Sequence, residues 1–366
     1  MNAVFEQPSW PSRLARVFAG FDGPLALAIA LLAGIGLVVM YSAGFDSGTR
    51  FGDHSRNMLI ALVVIFVMAQ VPPQKLESLA VPLYVLGVLL LVAVELFGIT
   101  RKGATRWLDV GVTVIQPSEI LKIALPLMLA WWFQKREGQL RVADFVVAAA
   151  LLAVPVGLIA KQPDLGTSLL VLAAGLYVIF FAGLSWRLVV PVMVLGVVGI
   201  IAIVATGDHI CQPGVEWPGI REYQKTRVCT LLDPTKDPLG KGFMMGTQTH
   251  LEFIPERTTD FIFAAFSEEF GLSGVLVLLA SFTFLIFRGL VIAAEAPTVF
   301  TRLLAGAVTM SFFTYAFVNM GMVSGILPVV GVPLPFVSYG GTAMVTLGLG
   351  LGILMSVSRS KRLMQS

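Results

Sequence analysis

With 366 residues, 57% of them hydrophobic and only 13% charged, and a mean hydropathy of +0.86, the chain lies far from soluble domains, where about a quarter of residues are charged. A water-soluble globular fold is excluded, leaving an all-α polytopic membrane protein built from apolar helices of about 20 residues. The net charge of +3 points to no nucleic-acid partner, because the basic residues cluster at the ends of apolar segments.

Ten spans are predicted, at 23–43, 57–72, 78–98, 117–134, 142–160, 165–184, 186–206, 260–287, 302–326 and 336–357. The chain is polar up to Asp22 and shows no cleavable signal peptide, so the first apolar run is read as a retained spanning helix. An even count puts both termini on one side. Short loops and ends on that side carry Arg13, Arg16, Lys75, Lys135, Arg136, Arg141, Arg187, Arg288, Arg302, Arg359, Lys361 and Arg362, the Lys/Arg excess that marks the cytoplasm. Residues 1–22 and 358–366 are then cytoplasmic tails, 207–259 is a large extracytoplasmic loop, and 1–366 forms a single membrane domain.

Between the third and fourth spans, residues 100–109 read TRKGATRWLD and place Arg101, Lys102 and Arg106 on the outer side, where positive charge is usually avoided. Two readings stand. One is a loop facing water or lipid headgroups, with Trp107 at the interface. The other is an outer anion site, since Arg and Lys grip phosphate by fork geometry and point charge respectively.

The fourth span opens QPSEILK. Pro117 suits a first helical turn, and Glu119 and Lys122, three residues apart, share a face and can pair. Such a pair inside a membrane usually faces the bundle interior or a water-filled path, although a purely structural ion pair is the alternative. A second polar island, KQPDLGTS, carries Lys161 and Asp164 between two apolar runs, with Pro163 and Gly166 implying a break near the outer surface.

Cys211 and Cys229 both fall in the 207–259 loop, an oxidising location, and are a candidate disulfide; two free thiols are the alternative. Histidine and cysteine spacing forms no zinc site, and no GxxxxGK[ST] loop is present for ATP-driven transport.

Beyond that loop the chain reads LEFIPERTTDFIF at 251–263. Asp260 stands at the mouth of an otherwise apolar helix that is interrupted by the acid pair Glu268 and Glu269. A carboxylate there is costly to desolvate and needs a partner, a cavity or a function. Further on, the Pro/Gly-rich stretch from Ser324 to Thr342, including SYGG at 338–341, predicts a re-entrant or broken element that lines a cavity, because irregular backbone at membrane depth survives only under such cover. A tight turn is the simpler alternative. Gly348, Gly350 and Gly352 on the last span make a lipid-facing small-residue surface suited to close helix packing, either within the chain or with a partner.

Asp260, Glu119, Lys122, Asp164 and the basic 100–106 loop all map to the outer half of the membrane. That convergence points to a site for an anionic substrate at the outer surface. A proton relay would string charges through the whole depth.

The stretches WLDVG, IQPSEILKIALP, KQPDLGTSLL, GTQTHLEFIPERTTDFIFAAFSEEFGLSG and NMGMVSGILPVVGVPLPFVSYGG closely resemble the SEDS proteins (shape, elongation, division and sporulation), over nearly the whole chain. The PERTTDF and LPVVGVPLPFVSYGG wording is closer to the elongation branch than to the division branch. The resemblance implies a peptidoglycan glycosyltransferase in a bacterial cytoplasmic (inner) membrane. It would polymerise lipid II at the outer face, beside a class B penicillin-binding protein that crosslinks the product. Asp260 falls on the family's essential aspartate, Glu119 and Lys122 on its SEIxK acid and base, and Asp164 on the aspartate of QPDLGTS.

On that resemblance Asp260 is expected to be the base for the acceptor 4-hydroxyl. Lys122, Arg106, Arg101 and Lys102 would hold the departing pyrophosphate, with Glu119 orienting Lys122 and Ser338 a further substrate contact. No cofactor is certain; Asp164 is the candidate for a divalent cation such as magnesium. The rival functions are a lipid II flippase, suited by a broken helix near the midplane, and a non-catalytic scaffold. The inner halves lack the cations that a pyrophosphate flippase would want. The sequence departs from the family in two places: an extra DHICQPGVEWPG stretch in the outer loop, and Gly240 running directly into Lys241 where relatives carry a Gly-Ser-Gly-Gly-containing segment. The second departure removes a loop expected to help hold the acceptor.

Overall fold

The computed structural model describes residues 21–45, 48–101, 104–109, 111, 114–183, 194, 198, 240–246, 256–324, 326–327 and 329–365, with backbone alone at Arg101, Ala104 and 361–365. The described residues form α1 (Gly23–Ala43), α2 (Arg50–Ala69), α3 (Pro73–Phe97), β1 (Ile99–Arg101), β2 (Ala104–Asp109), β3 (Val114–Ile115), α4 (Pro117–Gln134), α5 (Val142–Lys161), α6 (Leu165–Phe181), α7 (Ile262–Ala294), α8 (Val299–Val323) and α9 (Gly341–Gln365). Among the described residues, seven helices are long and apolar enough to cross a membrane: α1, α2, α3, α5, α7, α8 and α9. The predicted span at 186–206 lies outside the described residues, apart from Val194 and Val198, as do Cys211 and Cys229.

Several helix boundaries differ from the predicted ones, and two of the differences have a plain physical reason. The second helix begins at Arg50 rather than at residue 57, because hydropathy stops at Asp53, His54 and Arg56 whereas helix geometry tolerates polar residues. The last helix begins at Gly341 rather than at 336, the preceding SYGG remaining irregular. The 100–109 loop is ordered as strands: β1, β2 and β3 make an antiparallel sheet in that order, with Thr100 opposite Thr105.

Burial identifies the centre of the bundle. In α8 and α9, 72% of the spanning window is inside the protein, against 22% in α2 and α5. Lipid tails are as apolar as leucine, so close packing through small residues drives the association of such helices. A methyl at Gly348 would lie 2.9 Å from the Ala61 carbonyl of α2, one at Gly350 3.2 Å from Val308 of α8, and one at Gly352 3.0 Å from the Ile65 carbonyl. The expected lipid-facing glycine surface is therefore an internal seam, buried between α9 and its neighbours.

Helix ends sort into two groups. At one end Asp22 caps α1 through Leu25 N (3.0 Å) and accepts a forked bond from Arg288 of α7, at 2.9 and 2.5 Å. The hydroxyl of Ser358 donates to the same carboxylate at 3.0 Å. Burial alone would push this carboxyl up, but the Arg288 bonds, the Leu25 amide and the Arg288 charge together hold it below its ordinary value. Arg136 pairs with Asp144 at this end too (2.7 Å).

The other end gathers the N-termini of α2, α4, α6, α7 and α9 and the C-termini of α1, α3, α5 and α8. There α7 is broken at Gly271 (φ 60°, ψ −157°). Carbonyls just before the break accept from the irregular segment 240–246: Lys241 N bonds to Glu268 O and Gly242 N to Glu269 O, both at 3.0 Å. Gly240, at the junction with Lys241, turns there with φ +74°. The buried carboxylate of Glu269 accepts from the Ser42 hydroxyl of α1 at 2.5 Å. Between α8 and α9 the chain is irregular and covered, with Val332, Leu334, Phe336 and Val337 all at most 1% exposed.

Candidate active site

Asp260 is the last residue but one of the turn 256–261 that leads into α7. The backbone of this turn is captured residue by residue from other elements. The Thr258 carbonyl accepts from Tyr339 N at 2.8 Å, the Thr259 carbonyl from the Ser338 hydroxyl at 2.7 Å, and the Asp260 carbonyl from the Asn319 amide at 3.0 Å. Arg50, at the start of α2, donates to the Thr258 hydroxyl at 2.5 Å. A carboxylate mounted on a backbone held at three successive carbonyls keeps its place, which is what a group acting on a bound substrate requires.

The irregular segment 329–340, which we call the strap, joins Asp260 to a second acid. A methyl at Gly331 (φ +70°) would lie 3.4 Å from Asp260 Oδ2. The adjoining Val330 carbonyl packs so closely on Gly166, in the first turn of α6, that any side chain there would overlap it. Two residues earlier Asp164 caps α6 through Thr167 N (3.2 Å). Its other oxygen accepts from Gln116 at 3.1 Å and faces Arg106 of β2 at 3.3 Å. Asp164 is thus met by three N–H donors, from Thr167, Gln116 and Arg106. No cluster of three or more His, Cys, Asp or Glu with metal-binding arrangement occurs among the described residues.

Helix α8 joins Asp260 to the third group. Asn319 and Tyr315 lie four residues apart and so share a face. Tyr315 stacks beneath Lys122 of α4, whose ammonium is 5.4 Å from the ring centroid. Lys122 pairs with Glu119 at 2.6 Å, the two side chains being 8% and 12% exposed. Glu119 Oε2, Ser118 Oγ and Asn319 Oδ1 are buried without a hydrogen-bond partner among the described residues. Each such atom costs about 1–3 kcal/mol. A wall between α4 and α8 that carries several of them is built to meet water or the polar groups of a ligand. Lys122 and Tyr315 also line a cavity with Ser311 and Thr346.

The structure thus brings together Asp260, Glu119, Lys122, Arg106, Asp164 and Ser338. Ser338 departs from its expected use: its hydroxyl accepts from Leu334 N at 2.7 Å while donating to Thr259, so it fastens the turn and has no proton left for a substrate. Arg101 lies on β1 with only its backbone described, and Lys102 lies outside the described residues. Arg50, Gln116, Tyr315, Asn319 and Gly331 were missed. The signal for Tyr315 and Asn319 was present, two polar residues one turn apart in an apolar span. For Arg50 it was a cation just before the predicted second span.

Residues 24–363 match the family described as cell cycle protein, FtsW/RodA/SpoVE. The peptidoglycan glycosyltransferase MrdB of Escherichia coli strain K12 is 45% identical over 359 residues, covering 93% of this chain and 94% of its own. A probable peptidoglycan glycosyltransferase FtsW of Alkalilimnicola ehrlichii is 32% identical, covering 93% and 90%. Among solved structures, a chain described under structural coordination of polymerization and crosslinking by a peptidoglycan synthase complex superposes with TM-score 0.72 at 32% identity, covering 94% and 99%. The crystal structure of the Thermus thermophilus rod shape determining protein RodA superposes with TM-score 0.71 at 29% identity, covering 94% and 98%.

Proposed function

Because the chain belongs to the FtsW/RodA/SpoVE family of cell cycle proteins, we infer that it is a peptidoglycan glycosyltransferase of cell elongation, a multi-pass protein of the bacterial inner membrane. Its substrate is lipid II, and its partner is a class B penicillin-binding protein, a pairing supported by the similarity to a chain of a peptidoglycan synthase complex. The chain forms a single membrane domain of ten spans with both termini in the cytoplasm. That orientation is supported by Lys75, Lys135, Arg136, Arg141, Arg288, Arg302 and Arg359, all near helix ends on the side opposite Asp260.

The observation that carries the residue assignment is the convergence on Asp260 of two further groups: Asp164–Arg106 through the strap, and Glu119–Lys122 through α8. Asp260 takes the proton from the acceptor sugar's 4-hydroxyl as that oxygen attacks the donor's anomeric carbon. The bond from that carbon to the pyrophosphate breaks, and the electron pair leaves with the lipid pyrophosphate. Its charge is met by cations held in place beforehand. Arg106, with 29% of its side chain exposed, meets it first. Lys122 stands deeper, its ammonium held by Glu119 at 2.6 Å, and turns its remaining N–H donors to the pyrophosphate. Asp164 keeps Arg106 in position.

Purified protein in detergent, given lipid II, is expected to make glycan strands, because detergent abolishes sidedness but leaves polymerisation measurable. Folded protein that makes none, with or without the partner, would overturn the assignment for this chain, in which Gly240 meets Lys241 directly.

A further inference from the structure

Asn319 belongs to none of the charged groups the site was built from, and its geometry is unusual for a residue at the end of a membrane helix. It is 0% exposed. Its amide nitrogen donates to two main-chain carbonyls, Asp260 O at 3.0 Å and Val332 O at 2.7 Å. A primary amide has two N–H protons, and both are used. Two carbonyl acceptors also settle which way the amide faces, since the flipped amide would set oxygen against oxygen. The price of that orientation is Oδ1, buried and without a partner among the described residues. A leucine would fill the same space but leave both carbonyls without their donor, so the amide serves more than packing.

What the two bonds achieve is legible from the residue between them. Gly331 precedes Val332, adopts φ +70°, and lies where a methyl would come within 3.4 Å of Asp260 Oδ2. One nitrogen therefore ties the carbonyl of Asp260 itself to the carbonyl of the wall beside its carboxylate. Asn319 thus sets the distance between the main chain that carries the base and the main chain of the wall.

We propose that Asn319 is the positioning residue of the transfer reaction, fixing the Asp260 carboxylate against the Gly331–Val332 strap through two main-chain carbonyls. The inference rests on the assignment of Asp260 as the base. A displacement of about 1 Å at a reacting group costs on the order of 100-fold in rate. Releasing the strap should therefore fall on kcat and leave lipid II binding nearly intact.

The test uses full-length protein carrying Asn319→Leu, which keeps the volume and removes both donors. Asn319→Asp, the same shape with one donor when neutral, serves as a second variant should the first fail to fold, and Asp260→Asn is the control. Rates are taken per folded protein, judged by monodisperse elution and thermal melting. The expected result for Asn319→Leu is a kcat roughly 100-fold lower with KM within about twofold of wild type and a displaced pH–rate profile; Asn319→Asp should fall between it and wild type. Wild-type kcat and pH profile in the folded variant, or a loss confined to the yield of folded protein, would overturn the proposal. Should Asp260→Asn polymerise normally, the base assignment fails instead, and the two failures are told apart by which variant stays active.

Discussion

Replacing Gly331 by alanine puts a single methyl at the wall of the site and tests the geometry with little else disturbed. Two effects on stability oppose each other. At φ +70° an L-residue is strained by roughly 1–2 kcal/mol, while losing a glycine from the unfolded chain returns about 0.4–1 kcal/mol. Strain wins, and the net loss is on the order of 1 kcal/mol, enough for a small fall in melting temperature. The methyl would lie 3.4 Å from Asp260 Oδ2, an ordinary contact, so the carboxylate is not pushed out of place. It is covered instead. The methyl narrows the space in which the acceptor hydroxyl must approach, so polymerisation of lipid II should slow severalfold while thermal melting falls only slightly. A wild-type rate with an unchanged melting temperature would refute this placement of Asp260 against Gly331.

Two further perturbations separate stability from chemistry. Glu119→Gln leaves the Lys122 ammonium buried without its counter-charge, a change worth about 3–5 kcal/mol when a buried pair is broken on one side. Thermal melting should show a large fall for it, while Glu119→Gln combined with Lys122→Met regains most of the melting temperature and none of the polymerisation. At the opposite end Asp22→Asn removes the charge gripped by Arg288 and Ser358 and should cost about 3 kcal/mol at neutral pH. Because the Asp22 carboxyl is held below its ordinary value, its contribution is complete above about pH 4 and is lost as pH falls through the lowered value. The gap in melting temperature between wild type and Asp22→Asn should therefore close on acidification below that point.

Much of this site was legible in the sequence because membrane burial makes charge conspicuous. Asp260, Asp164, Glu119 and Lys122 each interrupt an apolar run, and the cost of desolvation alone marks them. The elements around them were less visible. Arg50 and His54 lengthen α2 by two turns that hydropathy reads as loop, and the basic 100–109 stretch conceals a small sheet whose side-chain alternation is too short to register. Ser338 looked like a substrate contact because a hydroxyl between glycines and aromatics says nothing of which backbone groups will claim it. Gly331 is silent in the sequence, and the polar pair Tyr315 and Asn319 marks a helix face without saying what it meets, because no pattern of residue types encodes a remote carbonyl's position. The glycines of α9 illustrate the converse. Their spacing announces close packing, and only the fold decides that α2 and α8 are the helices packed against them.

The central claim is that Asp260, held by the turn and strap, carries the proton transfer of glycan synthesis. The direct measurement is the rate of lipid II polymerisation by folded Asp260→Asn against wild type at equal concentration and matched melting temperature. Loss of a positioned general base predicts a fall of at least about 100-fold in kcat with lipid II still bound. An Asp260→Asn protein that polymerises at the wild-type rate would contradict the account.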